Sequence, residues 1–159
     1  MHGFIYTLFF ITFIGCKEVI SETYGPFKSS AGSLKVELMA GPFNHPWAIA
    51  FMPEQRSYLV TERGGNLRWV QNGKISQPIK GVPDVWVSGQ GGLLDVALDP
   101  NYSQNQRIYL SYSERKRFSG SGTVLATGLL RFHESNPQLE MVKVIFRQKP
   151  LSKGGRHFG

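Results

Sequence analysis

Residues 92–113 read GLLDVALDPNYSQNQRIYLSYS. The first nine, 92–100, form a nearly continuous apolar run, which is the pattern of a buried central strand. The last seven, 107–113, alternate, with Ile108, Leu110 and Tyr112 on one face. Two short strands joined by a polar turn decide the fold class, because the same pattern recurs on both sides of them. Upstream lie LKVELMA (34–40), WAIAFMP (47–53), SYLVTER (57–63) and NLRWV (66–70). In SYLVTER, Tyr58 and Val60 share one face, and Leu59 and Thr61 the other. NLRWV leads into QNGK (71–74), and an Asn-Gly pair between apolar runs is the strongest short hairpin signal. Downstream, TVLATGLLRF (123–132) and MVKVIF (141–146) continue the series. No stretch carries a sustained helical period with caps.

Composition agrees with this reading. The chain has 159 residues, 41% of them apolar and 18% charged, with 18 Gly, 9 Pro and 13% aromatics. That is enough apolar matter for a folded domain. The turn residues favour many short strands over long helices. Regularly spaced short strands mean a sandwich, a barrel or a propeller. In a propeller each blade takes about 40 residues and four strands. Residues 34–159 would then hold about three blades, fewer than the roughly four to eight that close a ring. An open arc would leave bare strand edges, so the propeller reading carries the expectation that the sequence is incomplete.

The net charge is +7. Lys and Arg are scattered, with no basic helix and no aromatic RNA-binding signature, which argues against nucleic acid as a partner. The one basic cluster, ERKRF at 114–118, is read as a solvated loop.

The N-terminus stands apart. An apolar run from Phe4 to Ile14 is too short to span a bilayer and fits the core of a signal peptide over residues 1–15. Gly15 before Cys16, the single cysteine of the chain, resembles a bacterial lipoprotein signal, which makes Cys16 a lipidation candidate. The run lacks the Lys or Arg that normally precedes it. Residues 16–33, polar and rich in Gly, Ser and Pro, are expected to be a tether between anchor and domain. The expected location is outside the cytoplasm, periplasmic or held to a membrane by lipid alone. With Cys16 so used, no disulfide framework and no thiol nucleophile remain.

Generic site motifs are lacking. The histidines at 2, 45, 133 and 157 form no metal-ligand spacing. There is no nucleophile elbow and no phosphate-binding loop. Three longer stretches are more specific: HPWAIAFMPEQRSYLVTERGGNLRWV (45–70), GVPDVWVSGQGGLLDVALDPNYSQNQRIYLSYS (81–113) and VIFRQKPLSKGGRHFG (144–159). In this order they closely resemble the N-terminal part of the soluble quinoprotein glucose/sorbosone dehydrogenases, over nearly all of 34–159.

The resemblance implies an all-β fold, the N-terminal portion of a six-bladed β-propeller. It implies oxidation of an aldose to its lactone with pyrroloquinoline quinone (PQQ). It also implies calcium, with ligands in later blades, and a fragment that is inactive alone. Two site residues carry over. Gln90, in SGQGGLLDV, matches the glutamine that lies at the cofactor. A carboxamide donates and accepts at once, and Gly89, Gly91 and Gly92 would let backbone approach a flat ligand. His157, in GGRHFG, matches the catalytic base, which takes the proton of the anomeric hydroxyl. Arg156 stands where the family often has an acidic or amide residue. Neighbours in an extended segment face opposite ways, so Arg156 is expected to point away. His45, Trp47, Glu62 and Arg63 are read as packing and turn residues, with Glu62 and Arg63 as a pair. The alternative function is a non-catalytic exported propeller that binds a glycan or a protein. The sugar and the electron acceptor are left open.

Overall fold

The computed structural model describes residues 22–53, 56–133 and 136–157. The expected signal segment and Cys16 lie outside the described residues. Ten strands and one helical turn make three antiparallel sheets. Strands β1 (Thr23–Ser29) and β2 (Gly32–Glu37) form a two-stranded sheet. Strands β3 (Pro46–Phe51), β4 (Ser57–Glu62), β5 (Asn66–Gln71) and β6 (Lys74–Ile75) form a four-stranded meander in chain order. Strands β7 (Leu93–Leu98), β8 (Arg107–Lys116), β9 (Gly120–His133) and β10 (Asn136–Arg147) form a second one. The helical turn α1 (Tyr102–Asn105) lies between β7 and β8. Each four-stranded sheet is the up-and-down unit expected of a blade.

Alternation builds the core. Leu59, Leu67 and Val70 of the first meander and Leu93, Ile108 and Leu130 of the second are wholly buried. Leu110, Tyr112, Val124, Ala126 and Leu139 join one cluster with Leu59, Leu67, Leu93, Ile108 and Leu130. Burying each large side chain stabilises the fold by roughly 1.5–3 kcal/mol. The Asn-Gly turn forms as expected. Asn72 (φ 50°) and Gly73 (φ 75°) both adopt left-handed conformations and close a two-residue loop between Gln71 and Lys74, which are paired.

Two expectations are corrected. β7 is the edge of its sheet, not a central strand. Its apolar run is explained by packing: β3 and β4 lie against it, and Leu93, Leu94 and Val96 are buried. Thr61 Oγ1 bridges the two sheets, donating to Leu94 O at 2.6 Å and accepting from Ala48 N at 3.0 Å. The tether expected over 16–33 contains strand from Thr23 onward. Ser29 Oγ donates to Gly32 O at 2.8 Å and accepts from Ala31 N at 3.2 Å, and Gly32 takes φ 117°. This local turn chemistry suffices to pair the arms, although every residue of both strands is exposed.

Residues 76–92 connect the outer strand of the first meander to the edge strand of the second. Ile79 N donates to Leu67 O (2.9 Å) and Leu139 N to Lys80 O (2.8 Å). At Gly81 a Cβ would lie 2.0 Å from Leu139 O. The linker is thereby pinned across both sheets, and its last turn, 88–91, is delivered to one end of the structure.

Candidate active site where two glycine turns meet

Gln90 sits in a tight turn in which Gly91 N donates to Ser88 O at 2.9 Å and Ser88 N to Gly91 O at 3.2 Å. Gly89 holds φ 57°. The turn is fixed from two sides. From one, Gly155 O accepts from Gln90 N (3.2 Å) and from Gly91 N (3.0 Å). From the other, Arg63 Nη1 donates to Gly89 O at 2.8 Å, and Arg63 O accepts from Leu93 N at 3.0 Å. A Cβ on Gly155 would fall 2.4 Å from Ser88 O, so the approach of the two segments requires glycine there. The turn therefore brings Gln90 beside the GGRH segment, some 65 residues further along the chain.

Two of the turn's glycines are required by packing. At Gly92 a Cβ would lie 2.1 Å from Arg63 O, and at Gly91 2.8 Å from Ser113 Oγ. Both are buried and let chain segments close on each other. Only Gly89 and Gln90 of the turn are exposed. The Gln90 carboxamide makes no hydrogen bond among the described residues.

His157 is buried, 3% exposed. Its Nε2 lies 2.9 Å from Ser121 Oγ. Ser121 is 1% exposed, and its backbone pairs with Ser152, N to O at 2.8 Å in each direction. Ser121 Oγ also reaches Gly154 O at 2.5 Å. A single serine of β9 thus holds both the imidazole and the glycine turn before it. His157 Nδ1 has no hydrogen-bond partner among the described residues. Arg156 is exposed while His157 is buried, so the two side chains diverge as alternation requires.

Glu62 and Arg63 are not a pair. Glu62 accepts from Asn44 N (2.9 Å), Asn66 Nδ2 (2.9 Å) and Arg68 Nε (3.0 Å). Neighbours on a strand face opposite ways, whereas Arg68 crosses from the adjacent strand on the Glu62 side. Burial pushes the Glu62 carboxyl up, but the three donors outweigh it and hold its pKa below the ordinary value. Arg63 is released to brace the Gln90 turn. Its Nε is buried and unpartnered among the described residues.

Sequence reasoning missed Ser121, Arg63 as a brace, and Trp86. Ser121 stands in a bland GSG stretch with no signal of its own. Trp86 N donates to Ser113 O (2.8 Å) and Trp86 O accepts from Ser113 Oγ (2.5 Å), which fixes the segment leading into the turn. The ERKRF cluster proves to be the tip of the β8–β9 hairpin, beside the same site. Among the described residues, no three His, Cys, Asp or Glu side chains gather to hold a metal ion.

Comparison with known proteins bears on this arrangement. Residues 43–159 match the family model described as Glucose / Sorbosone dehydrogenase. The aldose sugar dehydrogenase YliI of Escherichia coli (strain K12) is 43% identical over 132 residues, covering 82% of this chain and 35% of that protein. The soluble aldose sugar dehydrogenase from Escherichia coli, in its apo-form crystal structure, superposes with a TM-score of 0.67 at 47% identity. That match covers 73% of this chain and 33% of the other. The PQQ-bound aldose sugar dehydrogenase from Streptomyces coelicolor superposes with a TM-score of 0.55 at 29% identity, covering 70% and 33%. The chain spans about a third of the length of the curated relatives it matches. The all-β propeller portion expected from the sequence is what it shares with these structures.

Proposed function

The chain belongs to the glucose/sorbosone dehydrogenase family, and from that premise we propose that the protein oxidises an aldose to its lactone, with PQQ as hydride acceptor. The activity is proposed for a protein of the relatives' full length, since this chain spans about a third of it. The observation that carries the reading is the meeting of the Gln90 turn with the His157 segment through Gly155 O.

The residues present fit the quinone end of such a cofactor. An exposed, unpartnered carboxamide at Gln90 offers both a donor and an acceptor to a carbonyl-bearing ring. Beside it stands Gly89, with no side chain to keep a flat group away. The chemistry the cofactor supplies when bound is two-electron acceptance, of the hydride that leaves C1 of the sugar. Calcium, implied by the resemblance, would need ligands other than a cluster within the described residues.

His157 takes the proton. Ser121 has one hydroxyl hydrogen, and its shorter contact is to Gly154 O. With that hydrogen committed, Nε2 must donate to Ser121 Oγ. In that tautomer the ring carries its lone pair on Nδ1, the nitrogen without a partner among the described residues. Nδ1 is therefore the atom that accepts the proton of the anomeric hydroxyl as C1 gives up hydride. Ser121 selects the tautomer and fixes the ring. Arg63 and Gly155 hold the Gln90 turn at the height of the imidazole segment. Export, with lipid on Cys16, belongs to the same proposal and would place sugar oxidation outside the cytoplasm.

The test is reconstitution. The full-length protein, purified without cofactor, is mixed with PQQ and an artificial electron acceptor, and glucose turnover is followed by acceptor reduction. Turnover that requires PQQ and yields lactone is the expected result. A protein that binds PQQ yet oxidises no aldose would sink the reading.

A further inference from the structure

We propose that the β8–β9 hairpin tip and the cavity behind it dock on an anionic phospholipid surface, with Arg115 and Lys153 taking a headgroup phosphate and Phe118 entering the edge of the acyl layer. The inference does not depend on the aldose-oxidising reading. It adds a contact made by the folded chain to the membrane hold expected from lipid on Cys16. Three observations converge on it: the order of charge and apolar surface along the tip, a cavity with unpaired cations, and a strained aromatic residue at its mouth.

The tip is layered. Strands β8 and β9 stay paired as far as Lys116 and Gly120. Only residues 117–119 lie beyond the ladder, and Phe118 is the middle one, 93% exposed. The Arg117 guanidinium lies 5.1 Å from the Phe118 ring centroid. Lys116 and Arg115 follow behind it along β8, both exposed. An aromatic ring outermost with cations behind it is the order of an interfacial anchor. The ring reaches the boundary between headgroups and acyl chains while the cations stay level with the phosphates. In a protein interface the aromatic anchor stands at the centre of a well-packed patch. Phe118 stands at a convex tip among cations.

The cavity, about 480 Å³, lies between the tip and segment 153–155. That volume is within the range of ligand sites. Arg115 and Lys153 line it, and no carboxylate does. Glu114, the neighbour of Arg115, is taken by Arg147 at 2.8 Å. Neither Arg115 nor Lys153 forms an ion pair among the described residues. The Arg115 guanidinium lies over the Trp86 ring, 5.5 Å from its centroid. Stacking engages its flat face and leaves the N–H edge free, the edge that grips a phosphate by two parallel bonds.

Phe118 takes φ 66°, and Ser119 N donates to Lys116 O at 3.0 Å. Glycine adopts this left-handed conformation freely, whereas a bulky residue is strained there. Phe118 thus carries both backbone strain and an aromatic ring in water. Burial at a bilayer surface removes the second of these costs.

The experiment mixes the full-length protein with vesicles of phosphatidylcholine alone, and of phosphatidylcholine and phosphatidylglycerol in equal parts. Bound protein is measured by sedimentation. The preference for the anionic vesicles is what is read, so the apolar run 4–14 and lipid on Cys16 count equally in both. A preference of about tenfold or more is expected, weakening as salt is raised. Arg115→Gln with Lys153→Gln should reduce it about tenfold. Lys28→Gln with Lys74→Gln removes as much charge from the β1–β2 hairpin and β6, and should leave the preference unchanged. Phe118→Ser should lower binding to the anionic vesicles severalfold. Arg115, Phe118 and Lys153 are all exposed, so these variants should fold. Equal binding to the two kinds of vesicle overturns the proposal, as does a preference that survives loss of both Arg115 and Lys153. Vesicle binding untouched by Phe118→Ser also overturns it, because charge alone would then be read. Displacement from the vesicles by an equal concentration of glycerol phosphate would make a soluble phosphate the ligand and overturn the surface docking.

Discussion

Replacing His157 by alanine is expected to lower kcat for aldose oxidation by roughly 10²–10⁴, the usual contribution of a positioned general base. PQQ affinity should change little, because Gln90 and its turn are held by backbone and by Arg63, not by the imidazole. The loss should fall in kcat more than in KM, since the proton moves only as the hydride departs. His157 is buried and bonded to Ser121, so a misfolded site is the competing explanation for lost activity. Ser121→Ala separates the two. It keeps the imidazole and removes its tether, and with it the choice of tautomer. We expect about a fivefold to tenfold drop in kcat, the worth of one net hydrogen bond, with recovery in Ser121→Thr. Stopped-flow turnover of the three variants, alongside PQQ titration, checks this. Full activity in His157→Ala would remove the base from the account.

Glu62→Ala is expected to destabilise the protein by about 3 kcal/mol, the lower end of what breaking a buried ion pair costs. Glu62 is 3% exposed, and three donors converge on it. Removing the carboxylate leaves the Asn44 N–H, the Asn66 amide and Arg68 Nε without their acceptor. The effect depends on pH with a definite sign. The three donors hold the folded pKa below the unfolded value of about 4.3. Glu62 therefore stabilises fully above that unfolded value, and the contribution is lost as pH falls through the lower folded one. Urea unfolding of wild type and variant should differ most near neutrality and converge in acid. A difference that stays constant down to pH 2 would mean that the carboxylate charge is not what matters. The loss should also reach the site, since Glu62 anchors the strand end from which Arg63 extends to Gly89 O.

Much of this was legible in the chain. Alternation in 107–113 placed Ile108, Leu110 and Tyr112 in the core, and all three are buried. Asn72-Gly73 marked a hairpin because two successive left-handed residues leave few other choices. Gln90 and His157 could be singled out only by resemblance. Nothing in local pattern shows that residue 90 meets the segment before residue 157, which depends on one carbonyl, Gly155 O. The glycines of the turn also have a structural reason: Gly91 and Gly92 admit Ser113 and Arg63. Sequence reveals that a Cβ is unwelcome, not what stands in its place. Glu62 and Arg63 were paired because they are adjacent, and strand geometry separates adjacent side chains. The run 92–100 reads as a central strand because it is nearly all apolar; in the structure Leu93, Leu94 and Val96 are buried while Asp95 and Ala97 are exposed. LKVELMA marks the second arm of the hairpin 23–37, but its first arm, Thr23–Ser29, falls in the expected tether because every residue of it is exposed and no alternation records it.

The measurement that tests the central claim most directly is a crystal structure of the full-length protein with PQQ and a bound sugar. The account predicts the quinone at the Gln90 carboxamide and the anomeric hydroxyl within hydrogen-bond reach of His157 Nδ1, with Ser121 still on Nε2. A cofactor bound away from both the Gln90 turn and His157 would contradict it.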